Sequence, residues 1–339
     1  MNPYDFVPLD LSNPPRRHRP LDWRNVSGLR GVISGTVTAE TPILICDGRS
    51  ENPIRFMRLS GLGTTSGKAF LPGSSLKGLI RSVVETVAPG CWWRSGESRW
   101  KDAIPNDFRA CTDRTRLCPA CRLFGFLGEG SRSSVSLGAV RFQDAVAEDE
   151  KPHPASWVGP LESPKHQHRV WYFPNGSVAG RKFYFHHVPI FLGSDPGRGK
   201  RVEPLGVGTT FRFSARFDNV EQDDLDLLLY ALTLEPNLRH KMSYGKPVGL
   251  GSVRVAIDHI EFHPALAAAD RTRQRLEGVE LGRYLDQHTE RFRARNDPTL
   301  SAFRRIWHWP PAPGVTYRYP SREWFRAHPT APLAETGAA

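Results

Sequence analysis

A chain of 339 residues, 39% hydrophobic and 24% charged, holds enough apolar material for a substantial core, which excludes wholesale disorder. Its 46 Lys and Arg against 35 Asp and Glu leave a formal charge of +11, a balance that favours a polyanionic partner, either nucleic acid or an anionic membrane surface. No apolar run approaches the roughly 20 residues of a spanning helix, and the opening MNPYDFVPLDLSNPPRRHRP has acids and prolines where a secretory signal needs a basic end and an apolar run. A cytoplasmic protein without a membrane partner is expected. In that reducing compartment, clustered cysteines read first as metal ligands rather than as disulfides.

Residues 1–28 read as an extended N-terminal arm, because Pro3, Pro8, Pro14, Pro15 and Pro20 forbid regular helix. From Gly31 the pattern has period two, with Ile33, Gly35, Val37 and Ala39 on one face and Val32, Ser34, Thr36 and Thr38 on the other, which is a strand. Residues 40–71 form a long connection of the kind that is usually functional in a compact domain. Ser74 or Ser75 is the expected N-cap of the next segment, where Leu76, Leu79, Ile80, Val83, Val84 and Val87 recur at helical spacing. Lys77 and Arg81 lie one turn apart, off that apolar stripe.

Residues 89–130 are rich in Trp, Arg and Cys and show no periodicity. A second strand is expected near Ser134–Phe142, with a bulge at Gly138. An irregular insertion, 145–208, is interrupted by a strand from Arg181 to Val188. FRFSARF then sets Phe211, Phe213, Ala215 and Phe217 opposite Arg212, Ser214 and Arg216. Asn219 is the expected cap of a helix that buries Leu225, Leu228, Leu229 and Leu232. SYGKPVGLGSVRVAI reads as a glycine loop entering a last strand through Val253, Val255 and Ile257. Two successive strand–helix–strand units predict an α+β protein with an RRM/ferredoxin-like βαββαβ core over 29–262, carrying long insertions, a zinc-binding knuckle around 89–130, and a C-terminal helix and tail over 263–339.

Cys91, Cys111, Cys118 and Cys121 have the spacing C-x19-C-x6-C-x2-C. A C-x-x-C sets two thiolates on one knuckle, and two further cysteines complete a tetrahedral S4 zinc site, structural because no coordination position stays open. The competing reading is a redox pair, since CPAC resembles a thioredoxin-type motif, but such a motif opens a helix behind a strand and this one sits in an irregular Arg-rich insertion. Cys46 stands alone and reads as a small core residue.

PGSS before a helix sets N–H groups and hydroxyls at a positive helix end, a seat for a phosphate or simply a capped helix. Gly245, Gly249 and Gly251 let a backbone approach a ligand, with Lys246 among them and Arg239 and Lys241 ahead. Arg and aromatic residues interleave in WWRSGESRW, HRVWYF, GRKFYFHH and FRRIWHW, the combination that stacks bases and holds phosphates of single-stranded RNA, although each also reads as a core aromatic beside a solvated Arg. Asp47 and Glu51 lie on the long connection, where a carboxylate can hold a divalent metal near a phosphate or merely form a turn. His153, His166, His168, His186 and His187 are candidates for a general base, and equally for packing.

Taken together, LPGSSLKGLIR, CPACRLFGFLG, LGAVRFQDA and SYGKPVGLGSVRV stand in the order seen in RAMP-superfamily proteins of CRISPR systems, and the chain resembles the backbone subunits of type III effector complexes. PYDFVPLD, GRKFYFHH and the tail after His259 resemble one RAMP subfamily found at type III loci, so the resemblance spans roughly residues 3–320. It implies an RRM-like domain that polymerises along a guide RNA, with other complex subunits, guide RNA and target RNA as partners in antiviral defence. Ser74, Ser75, Lys77 and Arg81 fall on the family's PGSSLKG element, Gly245, Lys246, Gly249 and Gly251 on its glycine loop, and Cys118 and Cys121 on its zinc knuckle. The family's cleaving acid is an Asp before an Asn-Pro or Ser-Pro pair, where this chain has Glu51-Asn52-Pro53 with Asp47 four residues earlier. If the subunit cuts target RNA, Asp47 or Glu51 would position Mg²⁺ or Mn²⁺ while the ribose 2′-OH attacks its own phosphate. The alternatives are a metal-independent RAMP endoribonuclease that processes precursor guide RNA with a His base, and a zinc-stabilised adaptor that binds no RNA.

Overall fold

The computed structural model describes residues 2–20, 27–46, 52–59, 67–92, 102–127, 135–161, 169–195, 197, 199–264, 272–328 and 330–331. In chain order the core consists of β1 (Leu29–Ala39), α1 (Gly73–Val87), β2 (Val140–Phe142), β3 (Thr210–Val220), α2 (Gln222–Thr233) and β4 (Ser252–Phe262). β1 lies between β4 and β3, and β3 lies between β1 and β2, with every pairing antiparallel. Two strands that flank a common antiparallel neighbour run parallel to each other. β1 and β2, joined through α1, therefore form one split β-α-β unit, and β3 and β4, joined through α2, form the other. This is an α+β architecture on an antiparallel sheet, consistent with the ferredoxin-like expectation. Short strands extend it: Ala145–Asp149 and then Phe70–Leu71 beyond β3, and His240–Lys241 and Gln274–Glu277 beside β4.

The alternation read from sequence sets the burial. Ile33, Val37 and Ala39 of β1 and Phe211, Phe213, Ala215 and Phe217 of β3 are all buried. Gly35 and Gly31 make room for the rings next door: a Cβ at Gly35 would lie 2.7 Å from the Phe213 ring, and one at Gly31 would lie 2.8 Å from that of Phe217. α1 and α2 add their leucine and valine stripes to the same core. Each fully buried Phe or Leu contributes about 2 kcal/mol.

Several boundaries differ from expectation, each for a local reason. The expected strand Ser134–Phe142 is two strands. Val135–Leu137 pairs with Gly125–Leu127 as a hairpin, and the chain must break at Gly138, where a Cβ would sit 2.3 Å from the Phe124 carbonyl carbon. α1 starts two to three residues earlier than expected, with Pro72 at its N-cap; the Gly73 N–H donates to Asp144 Oδ1 at 2.7 Å, so a carboxylate from another segment caps the helix instead of Ser74 or Ser75. Glu221, not Asn219, occupies the α2 cap; Asn219 accepts instead from the Gly28 N–H at 2.8 Å.

The insertion 145–208 is more ordered than its composition suggests, with strands at Ala145–Asp149, Ser156–Val158, Arg181–Tyr184 and Lys200–Glu203. The expected strand Arg181–Val188 ends at Tyr184. The arm is not merely extended: Tyr4–Val7 pairs antiparallel with Arg181–Tyr184. The C-terminal region forms helices Gly278–Arg293, Pro298–Ile306 and Arg322–Ala327. No helix among the described residues is long and apolar enough to cross a membrane.

Candidate functional site

Ser75 in the first turn of α1 and Lys246 in the glycine loop are far apart in sequence and line the same cleft, of ≈ 500 Å³. Five segments meet there, one of them represented by Trp307. Ile45 and Cys46 come from the connection after β1, Ser75, Leu79 and Ser82 from one stripe of α1, Lys182 to Tyr184 from the strand that pairs with the arm, and Lys241 to Tyr244 from the approach to the glycine loop.

The glycine loop owes its glycines to its own packing. Gly245, Gly249 and Gly251 have φ of 80°, 94° and 76°. A Cβ on Gly251 would lie 2.1 Å from the Met242 carbonyl oxygen, and one on Gly249 would lie 2.9 Å from that of His187. Only glycine fits that backbone at those distances. Lys241 closes the loop from inside, its Nζ donating to the Gly249 carbonyl at 3.1 Å and to Ser252 Oγ at 3.2 Å. Lys246 Nζ donates to the Ser243 carbonyl at 3.1 Å.

Three lysines thus converge on the cleft. Burial, reinforced by Lys246, pushes Lys182 down to about 8 and Lys241 to about 7, and burial also lowers Lys246. None of the three has a carboxylate partner among the described residues. Lys182 Nζ lies 3.6 Å from the centre of the Tyr4 ring and 4.9 Å from that of Tyr184, so the docked arm supplies π-faces but no counter-charge. Partly desolvated ammonium groups without an anion are costly, and they gain most when an anion with several acceptor oxygens enters.

The other residues singled out from sequence are distributed unevenly. Ser74 is exposed outside the cleft, and Lys77 is half-buried on the neighbouring side of α1. Arg81 is engaged within the chain, donating to Glu85 at 2.7 Å, to the Gly125 carbonyl at 2.8 Å and toward Cys121 Sγ at 3.6 Å. Cys46, expected in the core, lies half-buried on the cleft wall. Asp47, Glu51, His166 and His168 lie outside the described residues.

His186 is fully enclosed, bonded through Nδ1 to Ser252 Oγ at 2.8 Å and through Nε2 to the Arg239 carbonyl at 3.0 Å, and burial with Lys241 nearby holds it well below the usual histidine range. Burial and Lys241 bring His187 to about 4, and its ring meets the carbonyls of Val188 and Pro247. His153 packs against Phe191, with ring centres 4.9 Å apart. Lys182 is the residue that reading the sequence did not single out. Its signal was a cation next to Arg181 in the run GRKFYF, directly before three aromatic residues.

The four clustered cysteines form the second centre. Cys91, Cys111, Cys118 and Cys121 are all buried, and their sulfurs lie within 4.8 Å of one another, a group that could hold a metal ion. Four thiolates around one tetrahedral ion at about 2.3 Å would be about 3.8 Å apart, so the spacing suits a mononuclear ion and leaves no room for a multi-iron cluster. Backbone donors already face the sulfurs: Cys91 N–H to Cys118 Sγ at 3.5 Å, and Cys118 N–H to Cys111 Sγ at 3.4 Å. With Arg81 toward Cys121, these stabilise the thiolate form that a metal requires.

A family model described as the RAMP superfamily matches residues 36–254. Among solved structures, Thermofilum pendens Csc2 is similar at a TM-score of 0.39 with 18% sequence identity, over 83% of this chain and 83% of that chain. No curated protein sequence matches the chain.

Proposed function

The chain belongs to the RAMP superfamily, and on that footing we propose that it is an RNA-binding subunit of a CRISPR effector complex, holding guide-RNA phosphates in the Lys182–Lys241–Lys246 cleft. The observation that carries this reading is the meeting of three lysines, Lys241 buried and Lys182 and Lys246 half-buried, without carboxylate partners among the described residues, between the start of α1 and the glycine loop. Phosphodiester oxygens supply the charge and the acceptors those groups lack.

The finer assignment is a backbone subunit of a type III complex in antiviral defence, and it rests on the motif order of LPGSSLKGLIR, CPACRLFGFLG and SYGKPVGLGSVRV. Its partners are then guide RNA, target RNA and neighbouring subunits in a prokaryotic cytoplasm. Cys91, Cys111, Cys118 and Cys121 would hold a structural Zn²⁺, since an all-thiolate tetrahedron suits zinc and leaves no open position. Target-RNA cleavage with Mg²⁺ or Mn²⁺ would fall to Asp47 or Glu51. Ile45 and Cys46, which precede them in sequence, line the cleft. Processing of precursor RNA by a His base has less support, because His186 and His187 are buried and bonded to carbonyls. An adaptor without RNA leaves the lysine cleft unexplained.

The test is fluorescence anisotropy of the purified chain on single-stranded RNA across a salt series. Binding is expected to weaken linearly in log salt, and Lys182→Ala or Lys246→Ala each to cost about tenfold. Affinity indifferent to salt and to both substitutions overturns the reading.

A further inference from the structure

The N-terminal arm reaches the cysteine cluster. His18 and Leu117 exchange backbone bonds, the His18 N–H donating to the Leu117 carbonyl at 3.2 Å and the Leu117 N–H to that of His18 at 2.9 Å. Leu117 immediately precedes Cys118. One residue earlier in the arm, Arg17 Nη2 donates to the carbonyls of Asp107 at 2.9 Å and Arg109 at 2.7 Å, on the segment that leads into Cys111. The Cys111 sulfur is a further acceptor for this guanidinium, and the sulfurs of Cys118 and Cys91 act on it electrostatically. Arg17 has no carboxylate partner among the described residues.

The start of the arm is tied to the same cluster through its partner strand. Val7 is the register partner of Arg181. Arg181 Nη2 donates to the Gly90 carbonyl at 2.9 Å and to that of Cys91 at 3.1 Å. Between these two anchors the arm packs loosely: Leu11 is 65% exposed, and none of residues 9–14 is buried. A segment with so few buried contacts opens at low cost, so its docking depends on what holds its ends.

We propose that Arg17 is an outer-sphere residue of the metal site, so that loading the four cysteines fastens the N-terminal arm to the knuckle. The inference rests on the reading of the cysteines as a zinc site and is independent of the lysine cleft. An ion held by Cys111 and Cys118 fixes both segments to which Arg17 and His18 are bonded. Four thiolates around a divalent ion also leave a net charge of about −2, which a cation beside Cys111 stabilises. Linkage makes the effect mutual: the metal strengthens arm docking by the factor by which the docked arm strengthens metal binding.

The test uses the full chain with Zn²⁺ as the probe. In competition with a chelator, Arg17→Gln is expected to bind Zn²⁺ about tenfold more weakly than the parent. Arg17→Lys should fall between the two, because it keeps the charge but loses the planar fork that bridges both carbonyls. Hydrogen exchange of the parent, read by mass spectrometry, is expected to speed about tenfold over residues 9–19 when the metal is removed, while peptides from α2 keep their protection. Equal zinc affinity in Arg17→Gln and the parent overturns the proposal, and so does arm exchange that is indifferent to metal. Arg17→Lys as weak as Arg17→Gln assigns the loss to the carbonyl bonds alone and removes the counter-charge role. A parent that binds no Zn²⁺ fails the reading of the cysteines, and the proposal falls with it. If metal removal unfolds the whole chain, seen as lost protection in α2, the chelator competition decides by itself.

Discussion

Arg122 grips Asp224 with two bonds, Nη2 to Oδ1 at 2.6 Å and Nε to Oδ2 at 2.7 Å, and both side chains are only 7% exposed. Arg122 sits one residue after Cys121 in the helix Pro119–Phe124, and Asp224 lies in the first turn of α2, so the pair fastens the cysteine knuckle to the core. Its third contact, Nη1 to the Leu117 carbonyl at 2.9 Å, fixes the loop between Cys111 and Cys118 as well. Asp224→Ala strands a buried cation and should destabilise the fold by about 3–5 kcal/mol. Urea denaturation of variant and parent reads this directly, and a loss below about 1 kcal/mol would show the pair to be replaceable by water.

Metal content is the second prediction. Elemental analysis of the purified protein should return one zinc per chain. Cys111→Ser removes a ligand and should lower both metal retention and thermal stability, since binding free energy at such a site is folding free energy. Iron in place of zinc would keep the mononuclear geometry and change the identification.

The lysines make binding and stability respond to pH in opposite senses. Lys182 near 8 and Lys241 near 7 are lowered by burial from the ordinary lysine value. Between those values and about 10.4 the unfolded chain binds more protons than the folded one, so the contribution of these groups to stability rises with pH across that window. An anion favours the charged amines, so RNA binding takes up protons and its affinity should fall from pH 7 to pH 9. Anisotropy and melting at fixed ionic strength test the pair of slopes, and affinity that is flat over that range contradicts the assignment of these lysines to phosphate.

Cys46 offers a reporter for the cleft. The other four cysteines are buried together, while Cys46 is half-buried on the cleft wall. Iodoacetamide should therefore modify Cys46 first in the metal-loaded protein, and bound RNA should slow that reaction. Peptide mass spectrometry with and without RNA measures it, and equal rates would place the RNA elsewhere.

What could be read from the sequence followed the periodicity of burial. β1, β3 and α1 show it cleanly because one face of each is apolar, and the structure buries Ile33, Phe213 and Val83 as that pattern demands. Caps were harder. Asp144 reaches Gly73 across 71 residues, and no local motif signals a capping group from another segment. The spacing of the four cysteines announced their cluster. The lysine cleft was only half legible, because Lys182 meets Lys241 and Ser75 through tertiary folding alone. The glycines of 245–251 look the same in sequence whether they admit a ligand or, as here, relieve contacts with Met242 and His187.

The register of β1 has a consequence for how the chain is made. Its neighbours on either side are 210–220 and 252–262, so the ribosome releases this strand long before either partner exists. Until then Ile33 and Val37 sit on a bare ribbon edge, and long-range pairing of this kind is slow. Nascent chains arrested before residue 210 should accordingly cling to holdase chaperones, and those extended past residue 262 should let go.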